Sequence, residues 1–136
     1  MEDLFSKIIA GEIPCTKVYE DDETFAFLDI NPCSKGHTLV VPKKHSRNIF
    51  TMTAEEFGKL MQTAHKISAA LKAATNADGI NVIMNNEAAA GQVVFHAHIH
   101  LIPRHTDDHV FPKPNHTTYA EGEMESVAQK ITLAFQ

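Results

Sequence analysis

The sequence predicts an α+β protein in which one long helix lies over an antiparallel sheet. Three observations carry that reading. Five segments rich in aromatic and β-branched residues are separated by turn signals, one stretch keeps its apolar residues to a 3.6-residue stripe, and the strand-like segments cluster around that helix. Hydrophobic residues make up 43% and charged residues 21% of the 136 positions, the balance of a globular chain and far from that of a disordered one. A chain of this length suits one domain, residues 1–136.

Each element has its own signal. Leu4, Phe5, Ile8 and Ile9 have the spacing of a short amphipathic helix that Gly11 and Pro14 stop. Lys17 to Glu20 alternates polar and apolar residues, and Asp21-Asp22 turns the chain. Thr24 to Ile30 and His37 to Val41 are strands, parted by Asn31-Pro32, with Pro42 closing the second. Thr53 and Glu56 form a capping box, and Phe57, Leu60, Met61, Ala64, Ile67, Leu71 and Ala74 line one face of the long helix that follows. Asn76 to Gly79 ends it. Ile80 to Asn85 reads as a fourth strand and Val93 to Ile102 as a fifth, terminated by Pro103. His105 to His116 is irregular, and Glu121 to Phe135 is a second, weaker helix.

Charge and composition exclude several classes. Twelve Lys+Arg against seventeen Asp+Glu give a formal charge of −5, the wrong sign for a general nucleic-acid or acidic-membrane binder. No apolar run approaches the ~18 residues of a membrane span, and the acidic start Met1-Glu2-Asp3-Leu4 lacks a signal peptide's basic and apolar regions. Cys15 and Cys33 are too few for a disulfide framework, so the expectation is reduced thiols in a cytoplasmic protein. The count that stands out is nine histidines.

Three of them fall in Val93-Val94-Phe95-His96-Ala97-His98-Ile99-His100-Leu101-Ile102. Side chains alternate along a strand, so Val93, Phe95, Ala97, Ile99 and Leu101 form one apolar face for the helix to bury. His96, His98 and His100 then share the other, exposed face. A lone histidine on a strand is ordinarily a packed or surface residue. Three at i, i+2 and i+4 opposite an apolar face point to chemistry. A zinc site is one option, but strand Cα atoms four residues apart are separated by ~13 Å, too far for all three rings to reach one ion, so His37, His45 or an acid would have to join. Phosphoryl chemistry with a covalent histidine is the other. Neutral imidazole is a good nucleophile, flanking rings can neutralise phosphate oxygens or donate protons, and Gly91-Gln92 allows close backbone approach to a phosphate.

The block His96-Ala97-His98-Ile99-His100-Leu101-Ile102 resembles the His-x-His-x-His-x-x signature of the histidine triad (HIT) superfamily. The likeness extends to Phe27-Leu28-Asp29-Ile30-Asn31-Pro32, Gly36 to His45, Asn85-Asn86-Glu87 and Ala90-Gly91-Gln92, in the family's order and approximate spacing. It covers about residues 4–104, leaving 105–136 as a C-terminal extension, and is similar to the Hint-like branch in its bacterial form, with its Leu101-Ile102-Pro103-Arg104 ending.

That resemblance implies a HIT-like fold, a five-stranded antiparallel sheet with one long helix and short terminal helices. It also implies a hydrolase or nucleotidyl transferase acting at the α-phosphate of purine nucleoside phosphoramidates or related conjugates. His98 would be the nucleophile that becomes nucleotidylated, His100 would contact the α-phosphate, and His37 and His96 would form the adjoining relay and orienting network. Asp29 would accept ribose hydroxyls and Ile30 would line the base pocket, with Phe27 and Leu28 beside it. Asn85, Gly91, Gln92 and the backbone of Val93 match phosphate positions. The family implies a homodimer with a continuous sheet, no cofactor, and a purine mononucleotide or its conjugate as partner.

The chain departs from the pattern twice. Val93 stands where many Hint-like proteins have Ser, removing a hydroxyl near the phosphate or leaving group. Some bacterial members hold zinc with Cys-x-x-Cys and two histidines; the matching stretch here is Asp3-Leu4-Phe5-Ser6, so the expectation is no metal although His45 remains. Two further functions stay open: dinucleoside polyphosphate hydrolysis, and a nucleotide sensor or scaffold with negligible turnover. Lys43-Lys44, His65, His105, His109 and His116 read as solvated or packing residues, and Arg104 as either a phosphate contact or the partner of a nearby acid.

Overall fold

The computed structural model describes residues 3–135, so Met1, Glu2 and Gln136, and with them half of the acidic start, lie outside it. Helix α1 (Leu4–Ile9) is followed by β1 (Lys17–Glu20), β2 (Thr24–Leu28) and β3 (Thr38–Pro42), then the long helix α2 (Ala54–Thr75). Strands β4 (Gly79–Ile83) and β5 (Ile99–Arg104) come next, and α3 (Glu123–Ala134) closes the chain. The five strands form one sheet in the order β1-β2-β3-β5-β4, antiparallel at every join. No helix among the described residues is long and apolar enough to cross a membrane.

Local chemistry sets the boundaries. The Thr53 hydroxyl accepts from Glu56 N–H while the Glu56 carboxylate accepts from Thr53 N–H, which starts α2, and Asn76 in the left-handed region ends it. Strand β2 stops at Leu28, short of Ile30, because the Asp29 carboxylate accepts from Asn31 N–H and folds the backbone into a turn. Strand β5 runs through Pro103 to Arg104 instead of ending before it. Beside Pro103, β3 has not yet begun, so no ladder donor is needed there, and the Pro103 carbonyl accepts from the Ser34 hydroxyl.

One face of the sheet behaves as the sequence predicts. Ile99 and Leu101 pack with Ala26 and Val40 against Leu60, Ala64, Ile67 and Leu71 of α2. The opposite face corrects the expectation of a sheet covered on one side only. Phe5 and Ile8 of α1 pack there on Phe25, Phe27, Leu39 and Val41. The expected strand from Val93 is also corrected, since residues 93–98 form a bent segment and β5 starts at Ile99. Alternation alone does not make a strand; a ladder partner does. Here the Pro42 carbonyl is taken by the His96 ring (2.8 Å) and Ala97 N–H goes to the Ser46 carbonyl (2.7 Å), so the segment docks on the loop after β3. Val93, released from the apolar face, is 83% exposed, and Phe95 lies beneath the Arg47 guanidinium, 4.3 Å from its ring centre.

Candidate active site

Strands β3 and β5 and the turn after β2 bring His37, His98, His100 and Asp29 together. The expected exposure does not hold: His96 is 0% and His98 6% exposed, because α1 covers this face. The Phe5 ring stands edge-on to His98, centroids 4.9 Å apart at 80°. His98 and His100 lie with ring centroids 4.9 Å apart.

Their partners fix the proton positions. A backbone amide can only donate, so Cys33 N–H at 3.1 Å makes His37 Nδ1 an acceptor and leaves the proton of the neutral ring on Nε2. That Nε2–H donates to His100 Nδ1 at 2.9 Å, which places the His100 proton on its own Nε2. A carbonyl can only accept, so His98 Nδ1–H donates to the His96 carbonyl at 2.7 Å. The lone pair of His98 is therefore on Nε2. Two adjacent rings thus have opposite polarity, a bare nitrogen on His98 and an N–H on His100.

Burial keeps these rings neutral. It is the largest influence on all three, lowering the pKa of His37, His98 and His100 below the usual imidazole value. His100 is pushed furthest, to about 4, by burial and then by repulsion from His98 and His37. The Asp29 carboxylate, 3.7 Å from His37 Nε2, opposes the shift. Asp29 also caps its own turn, and Ile30 beside it is 91% exposed.

Both nitrogens of the His96 ring are engaged. Its Nε2 lies 2.8 Å from the Pro42 carbonyl, its Nδ1 lies 3.1 Å from Asp3 Oδ2, and its carbonyl orients His98. Its ring ties the segment before β5 to the end of β3 and to Asp3 at the start of α1. The Gln92 side chain is likewise fully engaged and only 4% exposed. Its oxygen accepts from Glu87 N–H and Asn48 Nδ2, and its nitrogen donates to the Arg47 and Val94 carbonyls. This amide ties the loop before β5 to the loop after β3. Gly91 (φ +95°) sits against the Asn85 amide, and Val93 follows on the surface. Arg104 does not face the imidazoles: its guanidinium pairs with Asp108 and with Asn81.

Several contributors are not evident in the sequence. Phe5 lies in a helix that the pattern finds but does not place. Asp3, Asn48 and the Cys33 amide carry no pattern of their own. Glu87, clamped by Arg47 and Asn48 and held down to about 2 by the Arg47 hydrogen bond, stands in the Asn85-Asn86-Glu87 block without an evident role.

The zinc question turns on Asp3, Ser6, His45 and His96. Donor atoms of Asp3, His45 and His96 lie within 4.8 Å of one another, and His45 Nδ1 is buried without an aligned hydrogen bond. The fourth corner is the Ser6 hydroxyl, 3.5 Å from His96 Nδ1. A closed structural zinc site takes four strong donors, characteristically thiolates and imidazoles. Neither thiolate is present, and Asp3 Oδ1 is committed to capping α1 through Ser6 N–H. The set does not fit a structural zinc site. Asp3 instead touches both imidazoles, its Oδ2 being 2.9 Å from His45 Nδ1.

A small α+β protein with a covered histidine cluster at the end of β5 is the class these features define. The HIT domain model matches residues 10–107, and the chain belongs to the HIT family. It is 47% identical over 102 residues to the protein hit of Bacillus subtilis, covering 75% of this chain and 70% of that one. It is 46% identical over 105 residues to the adenylylsulfatase HINT3 of Arabidopsis thaliana, covering 77% of this chain but only 53% of that longer protein. The crystal structure of a Streptococcus mutans UA159 protein superposes with a TM-score of 0.93 at 45% identity, covering 99% of this chain and 86% of that one.

Proposed function

We propose that the protein is a nucleotide-binding hydrolase or nucleotidyl transferase that works at the α-phosphate of purine nucleoside phosphoramidates or related mononucleotide conjugates. The observation that carries this reading is the hydrogen bond from His98 Nδ1 to the His96 carbonyl, which leaves Nε2 free to attack phosphorus. In the first half-reaction the Nε2 pair forms a P–N bond while the bond to the leaving group breaks and its electron pair departs with that group. In the second, water forms the P–O bond and the pair returns to Nε2. The proton that water sheds balances the one the leaving group takes up.

His100 Nε2–H, supported by the His37 and Cys33 donors behind it, hydrogen-bonds the phosphate oxygens as negative charge builds on them. Asp29 takes the ribose hydroxyls, Ile30 and Leu28 the base, and Asn85, Gly91 and the Val93 N–H the phosphate. Gln92 holds that loop in shape. The adenylylsulfatase name of the Arabidopsis relative supports adenylyl transfer as the chemistry. Two copies pair along β4, one of the two edge strands of the sheet.

Val93 favours a second reading, a nucleotide sensor with negligible turnover, because no hydroxyl is offered where the leaving group departs. Rapid-quench mass spectrometry after mixing with adenosine phosphoramidate decides between them. A transient adenylyl adduct on His98, absent in His98→Ala, supports the enzyme. Tight AMP binding with no adduct and no product supports the sensor.

A further inference from the structure

Glu87 occupies a backbone conformation that is normally glycine's. At φ +79° and ψ 158° it lies in a corner of conformational space that a Cβ disfavours and that essentially only glycine enters. Asn76 also has positive φ, but at φ 54° and ψ 36° it takes the left-handed well that helix ends visit routinely. A residue in the Glu87 conformation persists only where its surroundings over-determine it, and Glu87 is held by every polar group it has. Arg47 Nε and Nη2 donate to its two carboxylate oxygens at 2.9 and 2.7 Å, and Asn48 Nδ2 donates to Oε2 at 2.7 Å. Its N–H donates to Gln92 Oε1 at 2.8 Å, and its carbonyl accepts from the Ala90 and Gln92 N–H groups at 3.0 and 3.2 Å.

These bonds make the Glu87 main chain the hub of the phosphate loop. The 3₁₀ turn Ala88–Ala90 hangs from its carbonyl, and Gly91, Gln92 and Val93 follow that turn. Rotating φ to a negative value turns the peptide plane that carries the Glu87 N–H. That breaks its bond to Gln92 and re-aims the whole turn relative to β4 and Asn85. The grip on the carboxylate comes from outside this loop. Arg47 and Asn48 belong to the loop after β3, on which Ala97 also docks through the Ser46 carbonyl. An exposed ion pair ordinarily contributes little to stability. This one is half-exposed on both sides, yet it is bidentate and set against a strained main chain. We infer that Glu87 is a positioning residue: its pair with Arg47 holds a glycine-like backbone at the head of the phosphate loop and so aims the Val93 N–H at the nucleotide. The role rests on the proposed nucleotide site, and the carboxylate acts through the loop, not by contact with substrate.

Glycine separates the backbone role from any role of the carboxylate, because it adopts the Glu87 conformation freely. Full-length Glu87→Ala, Glu87→Gly, Arg47→Ala and the double variant Arg47→Ala/Glu87→Gly are compared with wild type, once melting curves show each to be folded. The readouts are AMP affinity by calorimetry, adduct formation with adenosine phosphoramidate, and hydrogen exchange of residues 85–94. In Glu87→Ala and Arg47→Ala, AMP affinity is expected to fall and loop exchange to speed up by roughly tenfold or more. Glu87→Gly is expected to recover both to within about threefold of wild type. Arg47→Ala should then add less than about twofold on the glycine background, because the pair it breaks no longer has a task. Glu87→Gly as impaired as Glu87→Ala overturns the inference, since the carboxylate then acts for itself. Glu87→Ala indistinguishable from wild type overturns it also, as does an undiminished Arg47→Ala effect in the glycine background. Should wild type bind AMP without forming an adduct, the enzyme reading fails while the affinities still decide the role of Glu87. Should it bind no AMP, the nucleotide site and the role built on it fall together.

Discussion

The His98 imidazole is oriented by the main chain of its neighbour in the triad: His98 Nδ1 donates to the His96 carbonyl at 2.7 Å. A side chain in that role could be replaced by mutation, whereas a carbonyl cannot. Replacing the ring of His96 therefore perturbs His98 through the backbone path and not through a lost ring contact. His96→Ala empties a wholly buried site and leaves the Pro42 carbonyl and Asp3 without their partner, so the expected result is a lower melting temperature together with slower adduct formation. His98→Ala is expected to abolish the adduct while nucleotide binding, read by calorimetry, stays within a few-fold of wild type.

Removing the relay has a smaller effect. His37→Ala leaves His100 Nδ1 without its donor and frees its tautomer. A fall in kcat of up to roughly 10²–10³-fold is expected, the span for weakening a donor aimed at developing phosphate charge, with KM changed far less. Equal losses in both would place His37 in substrate binding instead.

Acid should destabilise the fold. His100 titrates near 4 in the native state against 6.5 for a free imidazole, so between those values the unfolded chain binds more protons. Stability contributed by this group is complete above pH 6.5 and is lost as pH falls towards 4. His37 and His98, lowered in the same direction, steepen the trend. Melting temperatures measured across that range should climb with pH, and the climb should be shallower in His100→Leu. A flat profile in the wild type would contradict the burial of these rings.

Gln92→Ala strips partners from Glu87 N–H, Asn48 Nδ2 and two carbonyls at once. A loss on the order of 1–3 kcal/mol in chemical denaturation is expected for buried polar groups left unpaired. The phosphate loop should also loosen, seen as weaker AMP affinity.

Metal is expected to play no part in the stability of α1. Dialysis against a chelator should leave the melting curve in place, while Asp3→Ala, which removes both the helix cap and the contacts with two imidazoles, should lower it by about 1–2 kcal/mol equivalent. A chelator-induced drop that zinc reverses would show that the carboxylate set holds an ion after all.

Much of the fold was legible in residue patterns, because each legible part is decided by neighbours in sequence. The Thr53–Glu56 box starts α2 where expected, β1 has its expected bounds, and Ile99 and Leu101 face the helix. What escaped depends on distant partners. Val93 to His98 alternates as a strand should, but strand formation needs a neighbouring ladder, and the His96 ring and the Ser46 carbonyl claim the groups that would have formed it. That Phe5 roofs His98 is a tertiary fact no local pattern holds. Among the candidate site residues, His37, His98, His100 and Asp29 do converge. The inward-turned Gln92 amide and the rearward His96 ring could not be distinguished from substrate contacts by residue type alone.

The seating of Phe5 on His98 has a practical side for anyone preparing this protein. A purification handle fused ahead of Asp3 would extend from the helix whose Phe5 ring covers His98. Rates taken from such material would report on the handle as well as the enzyme, and a scarless N-terminus is the preparation on which kinetics should be compared.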